Sequence, residues 1–126
     1  MQRDSAKGSA IDDLPGKWDG FVRLVRPGLG LQAFGSNIMN LPPDYTTESH
    51  SESKSGQEEL YVGITGSGAV VLGDGTRLPL DCDHLAAVGA DIERTLVSEG
   101  DGLRVLIVGA APGAYESPGW SDEGDD

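Results

Sequence analysis

The amino-acid sequence predicts an all-β domain, either a sandwich or a barrel. Short extended runs fill the chain between Trp18 and Gly113, turn residues recur every few positions, and helical apolar spacing is almost absent. About eight short strands joined by short turns within roughly 100 residues are typical of these two architectures. The long crossover segments that parallel strands require are missing, which excludes a parallel sheet.

Turn residues set the limits of the predicted strands. Pro27-Gly28 ends the first run and Pro42-Pro43 ends the second, because proline cannot donate to a strand ladder. The segment 73–75 reads Gly-Asp-Gly and predicts a hairpin, since both residue types tolerate positive φ. The segment 98–102 predicts a second hairpin loop on similar grounds. In chain order the predicted strands are 21–26, 32–41, 60–64, 69–72, 76–80, 85–88, 94–97 and 103–108.

Composition limits the classes of partner. The chain has 126 residues, enough for one domain, with 21 acidic and 9 basic residues and a formal net charge of −12. This balance argues against nucleic acid and against anionic membranes as partners, since both need clustered basic residues. No apolar run reaches the roughly 20 residues that span a bilayer. The single Cys82 excludes an intramolecular disulfide. We expect a soluble, cytoplasmic, acidic protein.

The two ends of the chain differ from its body. Residues 1–13 are polar without apolar periodicity and predict a disordered leader. Residues 117–126 predict an acidic disordered tail, whose one apolar anchor, Trp120, we expect to dock on the barrel or on a neighbouring subunit. The β-domain is therefore predicted to occupy residues 14–116.

One stretch carries a family resemblance. Residues 42–68 resemble the first motif of the cupin superfamily, G-x5-H-x-H-x3,4-E-x6-G, in which Glu59 and Gly66 match the E-x6-G half. The Gly-Asp-Gly hairpin and the final strand 103–109 also look like a small single-domain cupin. The resemblance covers about residues 30–113. It implies a double-stranded β-helix, or jelly-roll, barrel with an internal pocket, usually assembled as a homodimer.

The histidines of the cupin motif match less well. Metal-binding cupins typically use three His and one Glu, but His50 lies nine residues before Glu59. The family spacing places Lys54 and Glu52 at the two first-motif histidine positions, or Ser53 and Ser55 for the shorter gap. A longer loop would let His50 act as the first ligand, with Glu52 in place of the second His.

The second cupin motif maps on residues 83–97, where Arg94 best matches the histidine position. The four corners of the implied site are then His50, Glu52, Glu59 and Arg94. Arginine cannot ligate a metal. We therefore hypothesise that Arg94 forms a charge-assisted pair with Glu59 or Glu52 inside the barrel and replaces the charge of the ion.

Strand alternation indicates which other side chains line the pocket. Tyr61 shares the face of Glu59, although a slip of one residue would place Glu58 inside instead. Phe34 and Met39 are also expected to line the pocket.

Two functions remain open from the sequence. The first is a small-molecule-binding cupin without the usual metal site. The positive charge of Arg94 would favour an anionic ligand in this case. The second is a metal-dependent cupin enzyme, an oxygenase or an isomerase, holding one divalent ion (Fe, Mn, Ni, Cu or Zn) on His50, Glu52 and Glu59. The identity of the ligand and the register between His50 and Glu59 do not follow from the sequence.

Overall fold

The computed structural model describes residues 6–122, which form seven strands, one short α-helix and two 3-10 helices. The strands are β1 (Gly16–Lys17), β2 (Val22–Leu24), β3 (Gly35–Leu41), β4 (Glu58–Leu72), β5 (Arg77–Leu80), β6 (Leu85–Val88) and β7 (Arg94–Ala110). The helices are α1 (Val25–Leu29) and the 3-10 helices Ile11–Asp13 and Trp120–Asp122.

All strand pairs among the described residues are antiparallel, which confirms the all-β prediction. The strands follow the order β1-β2-β3-β7-β4-β5, and β6 also pairs with β4. The two long strands, β4 and β7, pair along most of their length, with register shifts between Gly63 and Thr65 and between Gly66 and Gly68. Such irregularities bend a strand and increase its twist. The main core of the protein contains Leu41, Tyr61, Val70, Leu80, Ala86, Val88, Leu96, Leu103 and Val105.

The hairpin predicted at residues 98–102 is wrong. The runs 94–97 and 103–108 belong to one strand, β7, and both pair with β4. Gly68 is opposite Ser98 and Gly66 is opposite Leu103, so the residues between form an irregular insertion in the strand. Gly102, at φ 74°, supplies the left-handed conformation there. Bulges and hairpin loops favour the same Gly and Asp residues, and only the partner strand distinguishes them.

The predicted strand 21–26 ends early, at Leu24, and the chain continues as α1. Pro27 lies in the first turn of this helix, where a missing N–H costs no hydrogen bond. The helix ends at Gly30, which has φ 72°. Leu14, Val25 and Ile38 are buried together in a second apolar cluster. This burial favours a compact turn over a continued strand.

Packed structure reaches into the predicted leader. Ile11 packs against the second cluster, and Asp12 pairs with Arg104 at 2.6 Å between Oδ1 and Nη2. Residues 1–5 of the predicted leader and 123–126 of the predicted tail lie outside the described residues. Trp120 is 77% exposed and is not docked on its own barrel. Within residues 6–122, no helix combines the length and apolar character needed to cross a membrane.

The close approach of two backbone segments at Gly63 yields a stability prediction. A Cβ at this position would collide with the backbone of Asp81, so Gly63→Ala should lower the free energy of unfolding by about 2–3 kcal/mol. Gly100 has nothing within 4 Å of an added Cβ, and Gly100→Ala should change stability by less than about 0.5 kcal/mol. Urea unfolding measures both variants, and equal stabilities would contradict this account.

Candidate functional site

The loop between β3 and β4 is held in register against the first half of β7. The Thr47 amide donates to the Leu96 carbonyl at 2.9 Å. His50 and Arg94 exchange both backbone hydrogen bonds, at 3.0 and 2.9 Å. The Glu52 amide donates to the Ala90 carbonyl, in the turn between β6 and β7, at 2.8 Å. These bonds determine where His50 and Glu52 lie relative to β7, which the spacing in the sequence left open.

Glu59 enters the site from the beginning of β4. Its backbone is paired with Val88 of β6 and with Gly109 of β7, and its side chain is 15% exposed. The neighbouring Glu58 is on the exposed side of the strand. The inward-facing carboxylate is therefore that of Glu59 and not that of Glu58.

The three predicted metal ligands lie together. His50 Nε2 is 3.4 Å from Glu52 Oε2 and 4.0 Å from Glu59 Oε1, and the three donor atoms lie within 4.8 Å of one another. Imidazole and carboxylate are donors that first-row divalent metals accept. Catalytic metal sites often use three protein ligands and keep a further position open. These residues therefore fit a divalent ion in kind and in number.

Arg94 forms the buried pair that the sequence suggested, and its partner is Glu59. The arginine side chain is fully buried, and its Nη2 lies 3.4 Å from Glu59 Oε1. Its Nε donates to the Tyr61 hydroxyl at 3.2 Å, and its Nη1 donates to the Ile92 carbonyl at 2.7 Å. Each guanidinium nitrogen thus has a partner within the protein, as a buried cation requires.

Tyr61 links the arginine to the carboxylate. Its hydroxyl donates to Glu59 Oε1 at 2.7 Å while it accepts from Arg94. Burial raises the pKa of Tyr61 well above its usual range, the adjacent Glu59 raises it further, and Arg94 partly opposes the shift. Tyr61 is therefore a neutral phenol at physiological pH, and its one proton is engaged by Glu59.

A cavity of about 230 Å³ opens beside these groups. Of the predicted pocket residues, Met39, Glu59 and Tyr61 line it, and His50 from the predicted metal set joins them. The guanidinium of Arg94 lies behind Glu59 and Tyr61 and is not part of the wall. The remaining lining residues, which the sequence analysis did not identify, are Val22, Asn37, Thr47, Glu48, Leu96 and Ile107.

Phe34 does not line this cavity. It is 36% exposed and borders a separate surface groove with Arg26 and Gln57. Phe34 and Met39 are an odd number of residues apart, and side chains at odd separation in an extended strand point to opposite faces. The same alternation would have identified Asn37, two residues before Met39, as a wall residue. No local signal marks Thr47 or Glu48, because their positions depend on pairing with β7.

The wall of the cavity is acidic. Glu48 and Glu59 contribute carboxylates, His50 contributes an imidazole, and no Lys or Arg lines it within the described part of the chain. The positive charge of Arg94 is matched by Glu59. The expectation that Arg94 selects an anionic ligand therefore loses its basis.

The second histidine lies elsewhere, on the surface. His84 Nδ1 is 2.7 Å from Asp81 Oδ1; the histidine side chain is exposed and the aspartate side chain is partly buried. Their hydrogen bond raises the pKa of His84 and lowers that of Asp81. The neighbouring Cys82 is exposed.

Comparison with solved structures identifies the architecture as the cupin fold. A cupin protein from Bacteroides fragilis superposes with a TM-score of 0.74 at 17% sequence identity, over 98% of this chain and 99% of that one. A sugar phosphate isomerase of the cupin superfamily from Silicibacter pomeroyi superposes with a TM-score of 0.58 at 21% identity, over 85% of this chain and 72% of that one. Oxalate decarboxylase from Bacillus subtilis, which has Mn(II) centres, gives a TM-score of 0.58 at 20% identity, over 75% of this chain and 26% of that one.

No protein-family model matches the sequence, and no curated protein sequence matches it either. The structural likeness is accordingly one of fold. The chain is a small antiparallel barrel with a lined cavity, and that barrel is the cupin jelly roll.

The Arg94–Glu59 pair yields a prediction about stability. Arg94→Met should lower the free energy of unfolding by about 3 kcal/mol, because it removes one partner of a buried ion pair. Glu59→Gln and the double variant complete a thermodynamic cycle, with an expected coupling of about 1–3 kcal/mol. Urea unfolding supplies the values, and Arg77→Met on the exposed face of β5 serves as the control. Strictly additive effects would show that the two side chains do not stabilise each other.

The raised pKa of Tyr61 yields a prediction about alkaline pH. In the unfolded chain Tyr61 ionises near its ordinary value of 10.0, so its contribution to stability is complete below that pH. As the pH rises further the unfolded state gains from ionisation, and the free energy of unfolding should fall. Tyr61→Phe should show a shallower decline, measured by urea unfolding between pH 9 and 11, whereas Tyr115→Phe should follow the wild type. Parallel declines in all three proteins would contradict the assignment.

Proposed function

We propose that this chain is a cupin-fold binding protein whose barrel cavity takes up a small organic molecule. The observation that carries the proposal is the arrangement around Glu59. A permanent cation, Arg94, and a neutral phenol, Tyr61, both donate to one oxygen of its carboxylate. The carboxylate at the wall of the cavity is therefore oriented and charge-compensated by the protein itself.

The cavity has the character of a small-molecule site. Apolar side chains from β2, β3 and β7 make up part of its wall. The polar groups of His50 and Tyr61 converge on Glu59 Oε1, at 4.0 and 2.7 Å, and such a combination is typical of ligand pockets. Its volume of about 230 Å³ lies below the roughly 300 Å³ at which pockets for drug-sized ligands begin. A ligand of only a few non-hydrogen atoms suits this volume.

A second candidate function is a metal-dependent enzyme of the oxygenase or isomerase type. The observation that favours it is the proximity of His50, Glu52 and Glu59, whose donor atoms lie within 4.8 Å of one another. A bound divalent ion would supply Lewis-acid chemistry at these residues. Arg94 and Tyr61 would then orient Glu59 toward the ion. A cytoplasmic homodimer, expected from the sequence, stays a prediction under either function.

Substitutions at two residues distinguish the two candidate functions, because one residue belongs only to the candidate metal ligands and the other only to the cavity wall. Glu52 belongs to the candidate metal set but does not line the cavity, whereas Glu48 lines the cavity but is outside the metal set. Untagged protein, purified without chelator, is analysed by elemental mass spectrometry as wild type, Glu52→Gln and Glu48→Gln. The proposal predicts well under one ion per chain in all three proteins. Near-stoichiometric metal that is lost in Glu52→Gln and kept in Glu48→Gln would establish the metal-dependent alternative.

The same proteins are then screened for thermal stabilisation by small alcohols, amides, amines and carboxylates. Saturating ligand at 100 times its Kd should stabilise the folded state by about 2.7 kcal/mol and raise the Tm by several degrees. We expect this shift to persist in Glu52→Gln and to shrink in Glu48→Gln. Glu58→Gln, which removes a carboxylate from the outer face of β4, is the control and should behave as the wild type.

A further inference from the structure

We infer that the ligand of the barrel cavity is a small organic amine, bound as an ammonium ion with a short apolar body. This inference rests on the proposed function and names the chemical class that the cavity recognises. It follows from the charges, the hydrogen-bonding capacity and the apolar surface of the cavity wall, taken in turn below.

The charges around the cavity favour a cation. Glu48 and Glu59 line the cavity, and Glu52 lies 3.4 Å from His50 of the wall. Among the described residues, Arg94 is the one guanidinium paired with any of these three carboxylates. One arginine cannot compensate three carboxylates, so the site carries excess negative charge. The net charge of −12 on the chain adds a long-range potential of the same sign, which attracts cations toward the cavity.

The hydrogen-bonding groups favour a ligand rich in donors. All three guanidinium nitrogens of Arg94 already donate within the protein, to Glu59, Tyr61 and Ile92. The guanidinium of Arg94 is fully buried and is not part of the cavity wall, and the one hydroxyl proton of Tyr61 is already donated to Glu59. Neither residue therefore offers a donor to an incoming anion, whereas the carboxylate oxygens at the wall remain as acceptors. An ammonium group supplies N–H donors to these acceptors, and a carboxylate ligand would face them as an unpaired like charge.

The rest of the wall favours a short apolar body beside the ammonium group. The apolar lining residues are Val22, Met39, Leu96 and Ile107. They come from β2, β3 and β7. A branched chain of about four carbon atoms places methyl groups against these side chains, where their burial favours binding.

Three probes of nearly the same shape test the inference: isobutylamine, isobutanol and isobutyrate, which at pH 7 are a cation, a neutral molecule and an anion. Each is titrated into the protein, with binding followed by saturable chemical-shift changes in two-dimensional NMR spectra. We expect the amine to bind at least tenfold more tightly than the alcohol and the carboxylate not to saturate. Glu48→Gln should weaken amine binding about three- to tenfold.

Two controls separate cavity binding from attraction to an acidic surface. Glu58→Gln removes the same charge from the opposite face of β4 and should leave amine affinity unchanged. Val22→Phe fills part of the cavity without changing the charge, and should weaken binding of the amine and the alcohol alike. Equal losses in Glu48→Gln and Glu58→Gln would show general surface attraction and overturn the inference.

The remaining outcomes distinguish this inference from the proposed function. If the alcohol or the carboxylate binds as tightly as the amine, the amine specificity is wrong, although the cavity remains a small-molecule site. If none of the three probes binds saturably, the amine inference is overturned. The wider thermal screen then decides the proposed function separately, because it covers other small molecules.

Discussion

A buried positive charge is the constraint on which the site depends. The guanidinium of Arg94 has no contact with solvent, and an unpaired cation in such a position would be strongly destabilising. Its three protein partners lie on β4 and in the turn before β7, and its backbone also holds His50 through two hydrogen bonds. One residue thereby connects the central strands to the loop that carries the candidate metal ligands.

The fold makes this convergence possible through the two long strands. β4 and β7 pair along most of their length and change register twice, so each contributes to both halves of the barrel. Glu59 and Tyr61 come from the beginning of β4, and Arg94 and Leu96 from the beginning of β7. The loop before β4 then lies against β7 and closes one side of the cavity.

The two candidate functions share Glu59 and differ in what surrounds it. Metal binding would use His50 and Glu52 from the loop, whereas ligand binding would use the interior wall with Glu48 and Asn37. The carboxylate is oriented by the same arginine and tyrosine in both cases. In the cupin motif that the sequence resembles, the position best matched by Arg94 belongs to a histidine, and here a buried guanidinium is paired with Glu59.

The sequence by itself determined the all-β class, the cupin resemblance, the Gly-Asp-Gly hairpin and the pairing of Arg94 with an acidic partner. The all-β class and the hairpin follow from local turn chemistry and strand alternation. The pairing of Arg94 is hypothesised from the cupin resemblance, which aligns Arg94 with a histidine position of the second motif. Only the tertiary structure decided that residues 98–102 continue a strand, that Phe34 lies outside the cavity, and that Glu48 lies at its wall. The register between His50 and Glu59 also depended on it, because their separation in space is set by hydrogen bonds to β7, a strand that begins over thirty residues later.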